Sequence, residues 1–309
     1  MNTQTKTAII AIVIVIPFTS YYVWQDDSTN DFQTLATSEK LAVVTSFYPM
    51  YEFTKEIGGD KVSLSLLIPP GMEPHDWEPT VKDIQQIQQS DMIVINGLGF
   101  ERWVDDIDNI NSEIQIVDTS FGITPIRNND EHKEYVMGDI DYDPHIWLNP
   151  NTIKIQVQNI AGNLKEHDPE NAEYYTRNTQ EYLQKIELLD KKIRNDISEC
   201  SKRDFIAFHD AFSYFAKEYE LNQHTVLKTS AVYEEATAQS LENIINLARE
   251  LDIKIIFTEE FSNSKLTQVI ANELGGKVLV LDPLEIEKKG YTFLDRLETN
   301  VENLKEALC

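Results

Sequence analysis

The chain is predicted to be an α/β protein with two lobes, each built on a mostly parallel sheet, joined by one long rigid helix. Two observations predict this fold class. Short apolar, β-branched segments alternate with helical segments in both halves of the 309-residue sequence, which is the pattern of parallel sheets covered by helices. Between the halves, apolar residues recur every three to four residues over a stretch too long for one small domain.

The first half contains four strand-like runs that are short, rich in β-branched residues and bounded by turn residues. They lie at 41–47, 62–68, 92–97 and 114–118, with helical patterns at 50–57 and 81–89. We therefore expect one α/β lobe over residues 39–166.

The second half repeats this alternation. Its strand-like runs lie at 204–208, 224–227, 254–258 and 277–281, with helical patterns at 210–219, 238–251, 264–274 and 292–307. A second α/β lobe is expected over residues 201–309.

The connecting helix is predicted over residues 167–200. Asp168, Pro169 and Glu170 supply a capping residue, a first-turn proline and an acidic residue at the positive end of the helix dipole. At about 1.5 Å per residue, a helix of about 30 residues spans about 45 Å, which suits a connector between lobes. A coiled-coil or partner-binding helix is the competing interpretation, and the short apolar stripe and unsystematic flanking charges disfavour it.

Residues 1–38 are predicted to be a signal or anchor segment with its linker. The sequence has no charged residue from 7 to 24; its apolar part has signal-peptide length, and aromatic residues follow it as at a membrane interface. It has neither a convincing cleavage motif nor a cysteine that could carry a lipid anchor. We expect an exported protein on the outer face of the cytoplasmic membrane, anchored by residues 7–24.

Charge and cysteine content restrict the function classes. A formal net charge of −25 disfavours nucleic acid and anionic lipid headgroups as ligands. The two cysteines, Cys200 and Cys309, form no Cys-x-x-Cys motif. An oxidising compartment would allow a disulfide between them, but no sequence pattern supports one, so they receive no predicted function.

Four residues are candidate metal ligands. His75 in GMEPHDWEPT and His145 in DPHIWLNP each directly follow a proline, and prolines stiffen a connection and disfavour helix. His209 and Asp282 directly follow strand-like runs of the second half, and the carboxyl ends of parallel strands are where α/β proteins bind ligands. Three imidazoles with one carboxylate suit zinc, whereas calcium and magnesium prefer oxygen ligands.

The other histidines lack a comparable setting, and a single histidine is more often a surface or hydrogen-bonded residue than a ligand. His132, His167 and His224 are therefore interpreted as surface residues. His132 lies in an acidic insertion at 127–142, which is interpreted as a solvated loop.

Four segments carry a family resemblance. In chain order they are PPGMEPHDWEPT, DPHIWLNP, FIAFHDAFSYFAKEYEL and IIFTEEFSNSKLTQVIANELGGKVLVLDPL. Together they resemble the substrate-binding proteins of zinc and manganese ABC importers, from about residue 41 to the C-terminus. The resemblance implies a non-enzymatic receptor that binds a metal ion between two lobes through His75, His145, His209 and Asp282. It also implies a membrane ABC permease with its ATPase as the partner.

The resemblance favours zinc as the metal. Manganese-selective members resemble this chain but tend to carry glutamate at the position of His209, so a manganese or iron receptor is the alternative. Zinc-type members often have a long histidine-rich loop before the DPH motif. Segment 127–142, which lies at that place in this chain, differs from such a loop. Glu78 and Glu259 are candidates for carboxylates that orient the imidazoles.

Two other function classes were considered. A zinc hydrolase also uses three histidines, with an open position that activates water. The chain has no His-Glu-x-x-His motif, and a fourth protein ligand would close that position. A cell-adhesion protein is compatible with the resemblance, but no residue argues for it.

Overall fold

Two four-stranded parallel sheets form the framework of the protein in a computed structural model, which describes residues 40–106, 114–127, 142–227, 237–260 and 265–309. Residues 40–309 form one compact unit. The predicted anchor at 7–24 and His132 lie outside the described residues. No helix within the described ranges is both long enough and apolar enough to cross a membrane.

The first sheet has the strand order β2-β1-β3-β4, and every pair in it is parallel. Its strands are β1 (Leu41–Thr45), β2 (Val62–Leu66), β3 (Met92–Ile95) and β4 (Gln115–Asp118). The helices in this half are α1 (Tyr48–Gly58), α2 (Val81–Gln88) and α3 (Pro150–His167). The predicted α/β pattern of this half is confirmed.

The second sheet repeats the same arrangement with the order β6-β5-β7-β8, again parallel throughout. Its strands are β5 (Asp204–Ala207), β6 (Asn222–Thr225), β7 (Ile255–Thr258) and β8 (Lys277–Val280). The helices after the long connector α4 (Ala172–Ser198) are α5 (Ser213–Glu218), α6 (Ala238–Glu250), α7 (Lys265–Leu274) and α8 (Phe293–Leu308). In both sheets the strand order reverses beside the first strand, which is the usual place for a ligand site in open α/β sheets.

Local sequence signals explain where several helices begin. Thr80 and Thr292 each form a capping box with the aspartate three residues later, which satisfies free backbone N–H groups at the first turn. Asn149 caps α3, and Pro150 occupies its first position, where no backbone N–H is needed.

The connecting helix is shorter than predicted. Helix α3 ends at His167, a 3-10 turn covers Pro169–Asn171, and α4 then runs for 27 residues. Asp168 does not cap the backbone of α4; its carboxylate accepts hydrogen bonds from Asn171 and Tyr175 side chains at 2.8 and 2.6 Å. The division into residues 39–166, 167–200 and 201–309 stays a prediction.

Strand β6 begins two residues before the predicted run at 224–227. The reason is that Asn222 and Gln223 pair with the start of β5. Val226 and Leu227 continue the hydrogen bonding to the carbonyl oxygens of Ala207 and Phe208. The predicted and observed ranges therefore cover the same edge of the sheet.

One hydrophobic core extends through both halves of the described chain. Helix α4 packs against α1 and α3 on one side and against α8 on the other. The fully buried Trp147 donates from its indole N–H to the carbonyl oxygen of Pro283 at 2.7 Å. Tyr214 joins the halves as well, donating to the carbonyl oxygen of Asp143 at 2.8 Å and accepting from Ile126 N–H. These contacts fix the position of the two sheets relative to each other.

Cys200 and Cys309 form a disulfide, with their Cα atoms 4.3 Å apart. The sequence allowed this pairing without supporting it, and the structure shows that the two cysteines pair. The bond links the end of α4 to the end of α8, so the connecting helix and the C-terminus are covalently joined. A disulfide of this kind is typical of proteins outside the reducing cytosol.

Candidate metal centre

Four buried side chains from distant parts of the chain converge on one point. They are His75, His145, His209 and Glu285, and one ligand atom from each lies within 4.8 Å of all the others. Their residues are only 9%, 2%, 6% and 7% exposed. Three of the four were predicted from the sequence as ligands, and the structure brings those three together.

The separations of these atoms match a tetrahedral metal site. The Nε2 atom of His145 lies 3.3 Å from the Nε2 atoms of both His75 and His209. Glu285 Oε1 lies 3.2 Å from His75 Nε2 and 3.7 Å from His145 Nε2. Zinc bonds of about 2.0–2.1 Å in a tetrahedron imply separations of about 3.3–3.4 Å between ligand atoms. Three of these separations lie within about 0.2 Å of the tetrahedral value, so the donor set suits a zinc ion.

His75 is positioned by the proline-braced loop between β2 and α2. Its ring packs edge-on against Phe100 at a centroid distance of 5.0 Å. The backbone N–H of His75 donates to Glu73 Oε1 at 3.2 Å. Nearby, Trp77 stacks edge-on against Trp103, so the loop is anchored on the core of the first sheet.

His145 is positioned by the segment that leads into α3. Asp143 Oδ1 accepts from both the backbone N–H and the Nδ1 atom of His145, at 2.9 and 2.7 Å. Asn96, which follows β3, donates to the carbonyl oxygen of Pro144 at 2.9 Å. His145 itself lies outside a helix, as predicted, but the residues directly after it, Ile146–Leu148, form a 3-10 helix that leads into α3.

His209 follows β5 at the position where the order of the second sheet reverses. Glu259 follows the neighbouring strand β7, and its carboxylate accepts a short hydrogen bond from His209 Nδ1. Glu259 was predicted as an orienting carboxylate, whereas Glu78, the other candidate, has an exposed side chain.

These carboxylates determine the tautomers of two imidazoles. With Nδ1–H donating to Asp143 or Glu259, the Nε2 atoms of His145 and His209 each carry a lone pair when both rings are neutral. The two Nε2 atoms face each other at 3.3 Å; neither can donate to the other in these neutral tautomers, whereas a protonated His209 donates from Nε2 to His145. Such an arrangement is stabilised by a cation between the lone pairs, and carboxylate-bound imidazoles are typical of zinc sites.

The electrostatics of the cluster also favour a cation. Burial tends to lower the pKa of His209, but the Glu259 carboxylate outweighs it and raises that pKa to about 9. Burial tends to raise the pKa of Glu285, but His75 in particular lowers it. Burial, together with the neighbouring imidazoles His75 and His209, holds the pKa of His145 well below its usual value. The Glu285 carboxylate is thus stabilised in its ionised form beside a largely neutral His145.

Asp282 does not lie in this cluster, so the prediction of Asp282 as the fourth ligand does not agree with the geometry. Its Oδ2 atom accepts from Arg296 Nε and Nη2 at 3.1 and 2.5 Å, and Oδ1 accepts from Leu284 N–H at 2.9 Å. In the structure both Asp282 carboxylate oxygens are thus engaged by contacts outside the cluster. The carboxylate that meets the imidazoles belongs to Glu285, three residues further along the chain.

Sequence reasoning missed Glu285 because nothing in the run LDPLEIE marks it. The turn that directs it inward has Leu284 in the left-handed region at φ 61°, which is rare for a bulky residue and not visible as a sequence pattern. Arg296, which neutralises Asp282, is 14 residues away on α8.

Two other histidines lie away from the cluster. His167 Nδ1 contacts the carbonyl oxygen of Asn163, and His224 Nε2 contacts Asp204 Oδ1 at 2.9 Å. Of segment 127–142, the described ends Arg127 and Tyr142 pair in an isolated antiparallel bridge.

Residues 43–307 match the family described as zinc-uptake complex component A, periplasmic. The high-affinity zinc uptake system protein ZnuA of Bacillus subtilis is 40% identical over 282 residues, covering 87% of this chain and 88% of the relative.

Two streptococcal proteins extend this comparison. The zinc-binding protein AdcA of Streptococcus pyogenes is 33% identical over 308 residues, and the chain spans 59% of its length. The laminin-binding protein Lmb of Streptococcus agalactiae, described as bifunctional with adhesin and metal transporting activity, has a similar structure. It has a TM-score of 0.78 at 31% identity, covering 87% of this chain and 100% of that one.

Metal binding at pH 7 is expected to release about one proton from the cluster, because His209 is protonated below its raised pKa and must lose that proton to bind a metal. The apparent affinity should therefore rise with pH up to about pH 9. Calorimetric titration with zinc in two buffers of different ionisation enthalpy measures the proton count. Binding heats that do not depend on the buffer would contradict this assignment.

Proposed function

The chain belongs to the family of the periplasmic component A of zinc-uptake complexes, and on this premise we propose that it binds one zinc ion through His75, His145, His209 and Glu285. The family consists of extracytoplasmic receptors that serve zinc ABC importers rather than of enzymes. Zinc is the cargo of the protein and not a resident cofactor.

The observation that carries the proposal is the convergence of three imidazole Nε2 atoms and one carboxylate oxygen, with neighbouring atoms 3.2–3.3 Å apart. Three imidazoles form a softer donor set than the oxygen ligands that manganese prefers. The general order of divalent affinities also places zinc above manganese and ferrous iron. A manganese or iron receptor is therefore the weaker alternative.

A hydrolase is disfavoured by the same geometry. Catalytic zinc sites keep one coordination position for water, whereas Glu285 occupies the fourth position here. Adhesion is described for the streptococcal laminin-binding neighbour and is the alternative from another class. The described residues of this chain support metal capture and offer no separate support for adhesion.

Delivery to a membrane permease of the ABC type follows from membership in an uptake complex. Core packing across α4, the Trp147 to Pro283 hydrogen bond and the Tyr214 contacts oppose a wide hinge motion. Capture and release are therefore proposed to use small movements of the loops that carry the ligands. The zinc-loaded receptor would dock on the permease, and the associated ATPase would power import.

Residues 7–24 are proposed to anchor the protein at the outer face of the membrane. The uncharged apolar run and the aromatic residues after it support an uncleaved span, and the disulfide supports an oxidising location. Mass spectrometry of protein extracted from membranes is expected to show an N-terminus that retains this segment. A mature chain that begins after Ser20 would contradict the anchor.

Replacing ligands is expected to weaken zinc binding. His145→Ala and Glu285→Gln should each lower the affinity by more than about tenfold, because even outer contacts at metal sites are worth 10–100-fold. Asp282→Asn should lower zinc affinity less than Glu285→Gln, since Asp282 contacts Arg296 and not the cluster. Competition titration against a zinc chelator of known affinity measures all three.

His224→Ala is the matched control, because His224 contacts Asp204 at the edge of the second sheet. This variant should bind zinc like the unchanged protein. An unchanged affinity in His145→Ala would remove that residue from the site. A larger loss in Asp282→Asn than in Glu285→Gln would restore Asp282 as the fourth ligand.

A further inference from the structure

The loop that carries Glu285 is fixed by a buried arginine that does not touch the metal site. This Glu285 loop, residues 281–286, lies between β8 and α8. We infer that Arg296 is a positioning residue that holds Glu285 in place as the fourth ligand and thereby sets the rate of zinc release. The inference rests on the proposed function, because it requires Glu285 to bind zinc.

The guanidinium of Arg296 contacts both ends of the segment that contains Glu285. Its Nε and Nη2 atoms donate to Asp282 Oδ2, and its Nη1 atom donates to the carbonyl oxygen of Ile286 at 2.6 Å. Both Arg296 and Asp282 are buried, at 4% and 7% exposure. Because guanidinium donors lie in one rigid plane, these contacts fix the distance between residues 282 and 286.

A second side chain of α8 completes the support. Asn300 Oδ1 accepts from the backbone N–H of Asp282 at 2.8 Å, and Asn300 Nδ2 donates to its carbonyl oxygen at 2.6 Å. Between the fixed points, Leu284 adopts φ 61° and is fully buried. A bulky residue keeps this conformation only where its surroundings enforce it. The loop is therefore a constrained segment that would relax if the contacts to Arg296 were lost.

Arg296 also contacts the first half of the chain. Its guanidinium carbon lies 5.4 Å from the ring centroid of Tyr48, at the start of α1. The Glu285 loop itself accepts the indole hydrogen bond of Trp147 at Pro283. A small displacement between the two sheets would thus act on Arg296 and on the loop together. Withdrawal of Glu285 would leave zinc with three imidazoles and speed its release.

Two variants at Arg296 distinguish a role in positioning Glu285 from a role in the stability of the fold alone. Arg296→Lys keeps a positive charge beside Asp282 but cannot contact Asp282 and Ile286 together. The double variant Arg296→Met with Asp282→Leu removes both charges, so that neither is left buried without its partner. Asn303→Ala is the control, since Asn303 also lies on α8 and donates to a backbone oxygen, that of Val280 at 2.8 Å.

Zinc release into excess chelator is measured by stopped flow, with cobalt absorption spectra as a report of the ligand set. Arg296→Lys and the double variant are expected to release zinc at least about tenfold faster. Their cobalt spectra should shift towards that of Glu285→Gln. In a Glu285→Gln background, Arg296→Lys should cause no further acceleration, because both changes act on the same ligand. Asn303→Ala should match the unchanged protein.

Release at the unchanged rate in the folded double variant would overturn the role of Arg296. Equal acceleration by Arg296→Lys with and without Glu285 would also overturn it, since that is the result of a structural role alone. If Glu285→Gln itself leaves zinc affinity unchanged, the proposed ligand set fails and the inference fails with it. If Arg296→Lys releases zinc at the unchanged rate while Glu285→Gln binds zinc more weakly, the ligand set stands and only the inference about Arg296 is overturned.

Discussion

The structure depends on holding three imidazole Nε2 atoms within bonding distance of one point. In the neutral form that binds a metal, imidazole lone pairs repel at 3.3 Å, so the surroundings must hold the rings together. Asp143 and Glu259 make the arrangement possible by fixing the Nδ1–H tautomer of His145 and His209. Burial then strengthens each of these interactions, because the four residues of the cluster are at most 9% exposed to solvent.

The fold supplies the rigid frame that such a cluster requires. His209 and Glu259 follow adjacent strands of the second sheet, so their separation is set by strand pairing. His75 and His145 come from loops that are braced by prolines and packed against aromatic residues of the first sheet. The core around α4 joins the sheets, so the proposed ligands from both halves are held at one place.

Much of this organisation could be predicted from sequence because it depends on local patterns. The parallel strands follow from β-branched runs, and the three histidines follow from their positions after prolines or at a strand end. Glu285, the proposed fourth ligand, could not be predicted, since its place depends on the left-handed conformation of Leu284 and on the contact between Arg296 and Asp282. The disulfide between Cys200 and Cys309 also escaped prediction, because it requires α4 and α8 to end side by side. Long-range packing decides both features.

The carboxylates in and around the site have different roles, because each of them contacts a different group. Asp143 and Glu259 orient imidazoles, Glu285 contacts His75 Nε2 directly, and Asp282 fixes the loop that carries Glu285. Four acidic residues with similar chemistry therefore serve three different purposes within one site.

X-ray absorption spectroscopy of the zinc-loaded protein measures the proposed ligand set itself. We expect a four-coordinate zinc with three imidazole nitrogens and one carboxylate oxygen at about 2.0–2.1 Å, and no sulfur. A shell with fewer than three imidazoles, or a six-coordinate shell rich in oxygen, would contradict it.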